Sequence, residues 1–138
     1  MGYIGAKAMN EYHQVLIVDD SETSRMIIQR CLEMAGIRSA TFYHAENGLD
    51  ALAQLKDSQD RKEPMELIVT DLNMPKMDGR AFVRIVKGSP QFSKVTLIVV
   101  SSIADGDAEA ELRSLGAAAV VKKPVSPAKL VSVLGGEL

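Results

Sequence analysis

The stretch that decides the fold is Leu67-Ile68-Val69-Thr70-Asp71-Leu72-Asn73-Met74-Pro75-Lys76-Met77-Asp78-Gly79. It opens as an apolar run that ends at an acid, and it closes on an Asp-Gly pair, which is typical of turns. A short apolar run of this kind favours a strand that is buried on both faces. Asp71 would then stand at the end of that strand, on the edge of the sheet where open α/β folds bind their ligands.

Three more apolar runs lead into polar side chains in the same way: Val15 to Val18 into Asp19-Asp20, Thr96 to Val100 into Ser101-Ser102, and Ala118 to Val121 into Lys122-Lys123-Pro124. The carboxyl ends of parallel strands all lie on one edge of a sheet. We therefore expect three carboxylates, a hydroxyl and an amine to share one pocket, although they are far apart in the sequence.

Segments with helical spacing lie between these runs. Ser21 is placed to cap a first helix, and Gly36 is placed to end it. The predicted strands are residues 14–18, 40–45, 67–70, 95–100 and 118–121, and the predicted helices are residues 22–35, 48–56, 79–86, 107–115 and 128–134, with a surface loop at 57–63. Strands that are apolar on both faces and alternate with helices predict a parallel sheet covered on both sides. The expected fold class is therefore a doubly wound, five-stranded α/β domain.

The composition indicates one ordinary globular domain. The chain has 138 residues, of which 46% are hydrophobic and 25% are charged. A net charge of -2, with scattered positive residues, provides no electrostatic footprint for nucleic acid. Cys31 is the single cysteine and lies among apolar residues, so we expect a buried small hydrophobe.

Residues 1–13 contain few apolar side chains and are expected to form a loose N-terminal leader before a domain spanning residues 14–138. They lack the continuous apolar stretch of a signal peptide. No window approaches the roughly 18 consecutive apolar residues of a membrane-spanning helix. We therefore expect a cytoplasmic protein that does not use the membrane as a partner.

The acids of the predicted pocket need a cation. Two unit charges about 4 Å apart interact by roughly 4 kcal/mol at an effective dielectric of about 20, so Asp19, Asp20 and Asp71 would repel one another strongly. A pocket that offers oxygen ligands without His or Cys favours a hard ion, and Mg²⁺ is the natural candidate. Lys123 would add a fixed positive charge that suits a phosphate group.

These segments, in this order and spacing, resemble response-regulator receiver domains, the CheY-like family. The resemblance covers roughly residues 14–134 and implies the flavodoxin-like strand order 2-1-3-4-5. It also implies that Asp71 is the phosphoacceptor and that the backbone carbonyl of Asn73 joins Asp19, Asp20 and Asp71 as a Mg²⁺ ligand. Ser101, Ser102 and Lys123 would bind the phosphoryl group, and the Lys123-Pro124 peptide bond would be cis.

The sequence departs from the family at two positions around the expected switch residue, Ser101. At the position three residues before the site lysine, many receivers carry a Tyr or Phe whose ring turns inward when the Ser or Thr of the site moves. In this sequence Val120 stands at that position. The relay of the signal is then expected to use backbone shifts or smaller packing changes. Ile103 replaces a polar side chain that in some receivers handles the hydrolytic water, which predicts a persistent phosphoryl group.

The leading interpretation is thus a two-component signalling switch with self-phosphorylation from small phosphodonors and self-dephosphorylation as its only enzyme-like reactions. Its expected partners are a sensor histidine kinase or histidine phosphotransfer protein upstream and a protein target downstream. A pseudo-receiver that only binds partners remains an alternative. So does a Mg²⁺-dependent phosphohydrolase, although the haloacid-dehalogenase type needs a second Asp where Asn73 stands. Homodimerisation and an output domain beyond Leu138 are left open.

Overall fold

The computed structural model describes residues 8–102 and 105–135 of the chain. Within them, a short 3-10 helix at Met9–Glu11 precedes five strands that alternate with five helices. The strands are β1 Gln14–Val18, β2 Thr41–Ala45, β3 Leu67–Asp71, β4 Thr96–Ser101 and β5 Ala119–Lys122. The helices are α1 Glu22–Ala35, α2 Gly48–Asp60, α3 Gly79–Gly88, α4 Glu109–Leu115 and α5 Pro127–Leu134.

The strands form one parallel sheet in the order β2-β1-β3-β4-β5. This order confirms the predicted doubly wound fold and the order implied by the resemblance. It places β3 at the centre of the sheet, between β1 and β4, and its five residues are all buried. The ends of β1, β3 and β4 are therefore neighbours on one edge, as the expected pocket requires.

Two hydrophobic layers cover the two faces of the sheet. In β1, Leu16 and Val18 enter the layer covered by α2, α3 and α4, whereas Val15 and Ile17 enter the layer covered by α1 and α5. Each of these side chains is fully buried, which stabilises the fold by roughly 1.5–3 kcal/mol per residue. Cys31 is buried in the second layer, as predicted.

The end of α2 differs from the sequence prediction by four residues, and the other ends of the helices and strands agree to within two residues. The sequence predicts a loop from residue 57, but α2 continues to Asp60 because the buried Ser58 hydroxyl donates to the Leu55 carbonyl at 2.8 Å. Helix α4 begins at Glu109 instead of residue 107. The carboxylate of Asp107 accepts the N–H of Glu109 at 3.4 Å, so Asp107 lies before the helix instead of inside it.

Residues 8–13, part of the predicted leader, pack against the domain. Met9 and Tyr12 are 4% and 1% exposed, and both pack in the layer covered by α1 and α5. A segment with so few apolar residues resembles a leader in the sequence, because only its contacts reveal that both large side chains are buried. The packed domain thus begins before residue 14. Residues 1–7 lie outside the described residues.

In the part of the chain that the structure describes, no helix combines the length and the apolar character needed to cross a membrane.

Candidate functional site: an acidic cluster at the carboxyl edge of the sheet

The predicted acidic residues meet at the carboxyl edge of the sheet. Asp19 and Asp20 follow β1, Asp71 is the last residue of β3, and the two strands are paired. One carboxylate oxygen from each of the three residues lies within 4.8 Å of the other two. Asp19 and Asp71 are 2% and 6% exposed, whereas Asp20 is exposed to solvent. The topology has therefore brought distant acids into one cluster.

Burial makes the ionised forms of Asp19 and Asp71 unfavourable when no cation is bound. It raises the pKa of Asp19, while the N–H of Ser21, at 2.9 Å from Asp19 Oδ1, acts in the opposite direction. The pKa of Asp71 is also raised by burial, against the effect of the nearby Lys123 ammonium. Both shifts indicate that the partners which the protein supplies to these two carboxylates do not offset the cost of burying them.

A second observation shows that the cluster fits a metal ion. The Oδ2 atom of Asp19 is buried and has no hydrogen-bond partner among the described residues. A buried acceptor of this kind needs a partner, and here it lies beside the carboxylates of Asp20 and Asp71. The donor set consists of carboxylate oxygens, which suit a hard divalent cation such as Mg²⁺.

Lys123 supplies the counter-charge of the site. Its Nζ lies 3.3 Å from Asp71 Oδ1, and its side chain is 37% exposed, so the ammonium remains accessible to an incoming anion. The Lys123-Pro124 peptide bond is cis. The N–H of Lys123 donates to the Ser101 carbonyl at 2.7 Å, which attaches the segment after β5 to the end of β4.

The two serines after β4 differ in their partners. Ser101 is 1% exposed, and its hydroxyl oxygen has no hydrogen-bond partner within the described residues. Ser102 already holds an anionic group, because its N–H and hydroxyl both donate to Asp105 Oδ2, at 2.6 and 3.2 Å. Both serines therefore lie at the same edge as Asp71, but only the Ser101 hydroxyl is without a partner.

A model of the response regulator receiver domain matches residues 15–135. The chain belongs to the response-regulator receiver family.

Relatives and solved structures agree with this assignment. The receiver is 30% identical over 122 residues to a probable chemotaxis protein CheY of Rhizobium etli, with 88% of each chain covered. It is 43% identical over 88 residues to the sensor histidine kinase CheAY of Helicobacter pylori, an alignment that covers 64% of the receiver and 10% of the kinase. The Mn²⁺-bound form of the response regulator Rcp1 matches with a TM-score of 0.69 and 25% identity, with 86% of each chain covered. The chain is therefore a receiver domain of two-component signalling.

Gly79 allows the receiver's α3 to begin against the backbone beside Asp71. Its N–H donates to the Leu72 carbonyl at 2.7 Å. A Cβ at this position would lie 2.7 Å from Leu72 Cα and 2.9 Å from the Asp71 carbonyl oxygen, closer than such atoms approach. The carboxylate of Asp78 caps α3. The Asp78-Gly79 pair, which is typical of a turn in the sequence, thus also fixes the loop that contains Asn73.

A buried arginine that the sequence analysis missed supports the end of β1. Arg25 is 8% exposed, and its Nη1 donates to the backbone carbonyl of Asp19 at 2.6 Å while its Nε donates to His44 Nδ1 at 3.2 Å. Burial and the Arg25 charge both lower the pKa of His44, which keeps the ring neutral and able to accept this bond. The sequence signal that could have revealed Arg25 is a positively charged residue on the same apolar stripe of α1 as Ile28 and Leu32.

Asp105 is the second residue that the sequence analysis missed. Its Oδ1 accepts a short hydrogen bond from Asn73 Nδ2, and its Oδ2 is held by Ser102. The carboxylate thus links the segment after β3 to the segment after β4. The spacing Ser102-x-x-Asp105 has the form of a capping box, and this pattern could have revealed the contact.

Of the two positions where the sequence departs from many receivers, the structure describes Val120 but not Ile103. Val120 lies on β5 and packs, partly buried, against the layer covered by α2, α3 and α4. A smaller apolar side chain therefore stands where many receivers carry an aromatic ring. Lys122, beside Lys123, is exposed and donates to the Gly106 carbonyl at 2.8 Å. Ile103 lies outside the described residues.

Proposed function

We propose that this receiver is phosphorylated on Asp71 and that Mg²⁺ is bound by Asp19, Asp20, Asp71 and the backbone carbonyl of Asn73. The observation that carries the proposal is the cluster itself, in which three carboxylates lie within 4.8 Å of one another and Lys123 Nζ lies 3.3 Å from Asp71 Oδ1. The response regulator Rcp1, which is similar in fold, has been crystallised in a Mn²⁺-bound form, and this supports a divalent cation here.

The proposed reaction is the transfer of a phosphoryl group to an Asp71 oxygen. With acetyl phosphate as donor, a bond forms between that oxygen and phosphorus while the bond from phosphorus to the acetate oxygen breaks, so acetate leaves with its electron pair. Mg²⁺, when bound, would neutralise phosphoryl oxygens and lower the repulsion between the donor and the acids. The Lys123 ammonium would do the same from its side of Asp71.

Ser101 is proposed as a hydrogen-bond donor to the phosphoryl group and as the switch residue. Its hydroxyl is buried and without a partner in the described part of the chain, and no base accompanies it that would make it a nucleophile. The N–H of Ser102 is the second proposed donor. Movement of Ser101 would be transmitted to β5, where Val120 and its neighbours offer smaller packing changes than an aromatic ring.

The proposed partners are a sensor histidine kinase or a histidine phosphotransfer protein as donor and a protein target that recognises the phosphorylated state. A similar sequence occurs within the sensor histidine kinase CheAY, which supports a place in such a pathway. A receiver that takes its phosphoryl group from the kinase domain of a two-component system works beside that domain. We therefore propose a cytoplasmic location.

The proposal is tested by incubating the protein with acetyl phosphate and measuring its intact mass with Mg²⁺ and with excess EDTA. We expect the addition of one phosphoryl group with Mg²⁺ and at least about a tenfold slower addition with EDTA, because the clustered acids then repel the donor. A chain that takes up no phosphoryl group under either condition would be a pseudo-receiver. Steady release of phosphate over many turnovers would instead indicate a phosphohydrolase.

A further inference from the structure

The Asp105 carboxylate is held in the way that proteins hold a bound anion. Both of its oxygens accept hydrogen bonds: Oδ1 from Asn73 Nδ2, and Oδ2 from the N–H and the hydroxyl of Ser102 at 2.6 and 3.2 Å. Three donors from two separate segments therefore converge on one negative group. These segments directly follow β3 and β4, the strands that end in Asp71 and Ser101.

This anion lies within electrostatic reach of the reacting groups. Its partner Asn73 is two residues past Asp71, and its partner Ser102 is one residue past Ser101. The Asp105 carboxylate therefore lies next to a site that must receive another anion.

We propose that the Asp105 carboxylate occupies donors that the phosphoryl group on Asp71 needs, so that phosphorylation displaces Asp105 from Ser102 and Asn73. The inference rests on the proposed function and adds a positioning residue to it. The N–H of Ser102 cannot donate fully to both anions, and two negative groups would repel each other at this edge.

Displacement of Asp105 would also pass the signal on. In the unphosphorylated receiver, Asp105 joins the loop of Asn73 to Ser102, and α4 begins four residues later, at Glu109. Loss of these bonds releases the start of the α4 segment from the phosphorylation site. This provides a polar substitute for the aromatic ring that Val120 replaces.

The test compares the initial rates of phosphorylation of variants by acetyl phosphate in saturating Mg²⁺. Asp105→Asn keeps the shape of the side chain but removes its charge, and we expect it to react about fivefold faster, since hydrogen bonds to charged groups are the stronger ones. Asp105→Ala, which removes the carboxylate altogether, is expected to be accelerated as well. Asp105→Glu keeps the charge and is expected to remain slow. The matched control is Asp107→Asn, which removes one negative charge from the same segment. Asp107 is exposed and accepts the Glu109 N–H, so its charge does not occupy Ser102 or Asn73.

If Asp105 had only a structural role, its removal would loosen the site and slow phosphorylation. A faster initial rate therefore separates the proposed role from a structural one. If Asp105→Asn and Asp105→Ala, folded by circular dichroism, reacted at or below the rate of the unmodified receiver, the inference would be overturned. Equal acceleration by Asp107→Asn would contradict it too. If no variant and not even the unmodified chain took up a phosphoryl group, the proposed function would fail first, and this inference would fail with it.

Discussion

Asp71→Asn is expected to produce a folded receiver that takes up no phosphoryl group from acetyl phosphate. An amide is not a usable nucleophile toward phosphorus, and the variant also loses the negative charge that faces Lys123 at 3.3 Å. Removal of the nucleophile should slow modification by roughly a thousandfold or more, which places it below detection by intact mass. Asn has nearly the same size as Asp, so the strand and the site should remain in place.

The matched control for this prediction is Asp60→Asn. Asp60 is the last residue of α2 and pairs with Lys56 at 3.4 Å on the surface, so its loss changes the net charge by the same amount without touching the acidic cluster. This control should be phosphorylated at the unmodified rate. Uptake by Asp71→Asn at a comparable rate would mean that another side chain accepts the phosphoryl group.

Asp19→Asn is expected to have opposite effects on the stability of the protein with and without Mg²⁺. The buried Asp19 has a raised pKa, so its ionised form destabilises the fold at pH values above that pKa. In EDTA at neutral pH, the variant should therefore be more stable by about 1–2 kcal/mol. With Mg²⁺, the unmodified receiver should gain stability by binding the ion, and the variant should lose most of that gain because it lacks one charged ligand.

The stability difference between Asp19→Asn and the unmodified chain in EDTA should depend on pH. Well below the unfolded pKa of about 3.9, Asp19 is protonated in the folded and the unfolded chain alike, so the advantage of the variant in EDTA should disappear. The measurement is denaturant unfolding of both proteins in EDTA at several pH values and in Mg²⁺ at neutral pH. A variant that is less stable in EDTA at neutral pH, or that gains as much from Mg²⁺ as the unmodified chain, would rule out this account of Asp19.

The fold was predictable because its strands carry an unusually clear signal. The apolar run that ends in Asp71 has every residue buried, and β1 and β4 repeat that pattern. Helix caps such as Ser21, whose hydroxyl accepts the Ser24 N–H at 3.2 Å, marked the starts of helices between the strands. The strand order came from the resemblance, since periodicity alone does not state which strands pair.

Errors in the prediction fall where local composition and tertiary contacts disagree. Ser58 is polar, but it is buried within α2 because its hydroxyl is satisfied by the preceding turn. Met9 and Tyr12 belong to a mostly polar segment, but they fill the layer beneath α1. In each case a contact made only in the folded chain overrides the local pattern.

The acids of the site were predictable, but the residues that position them were not. Asp19 and Asp71 end their strands, so the topology alone brings them together. Arg25 acts from α1 on a backbone carbonyl, and Asp105 acts from a loop on an amide and a backbone N–H. The sequence does not state these long-range contacts. Their signals, a cation on an apolar helix face and a capping-box spacing, are weak without coordinates.

The central claim is that the acceptor oxygen belongs to Asp71, and the most direct test is to identify the modified residue chemically. The receiver is phosphorylated with acetyl phosphate and Mg²⁺, reduced with borohydride, which converts an aspartyl phosphate to homoserine, and digested for peptide mass spectrometry. If Asp71 is the acceptor, homoserine is expected at position 71. Homoserine at another acid, or a stable phosphate on Ser101 with Asp71 unchanged, would contradict it.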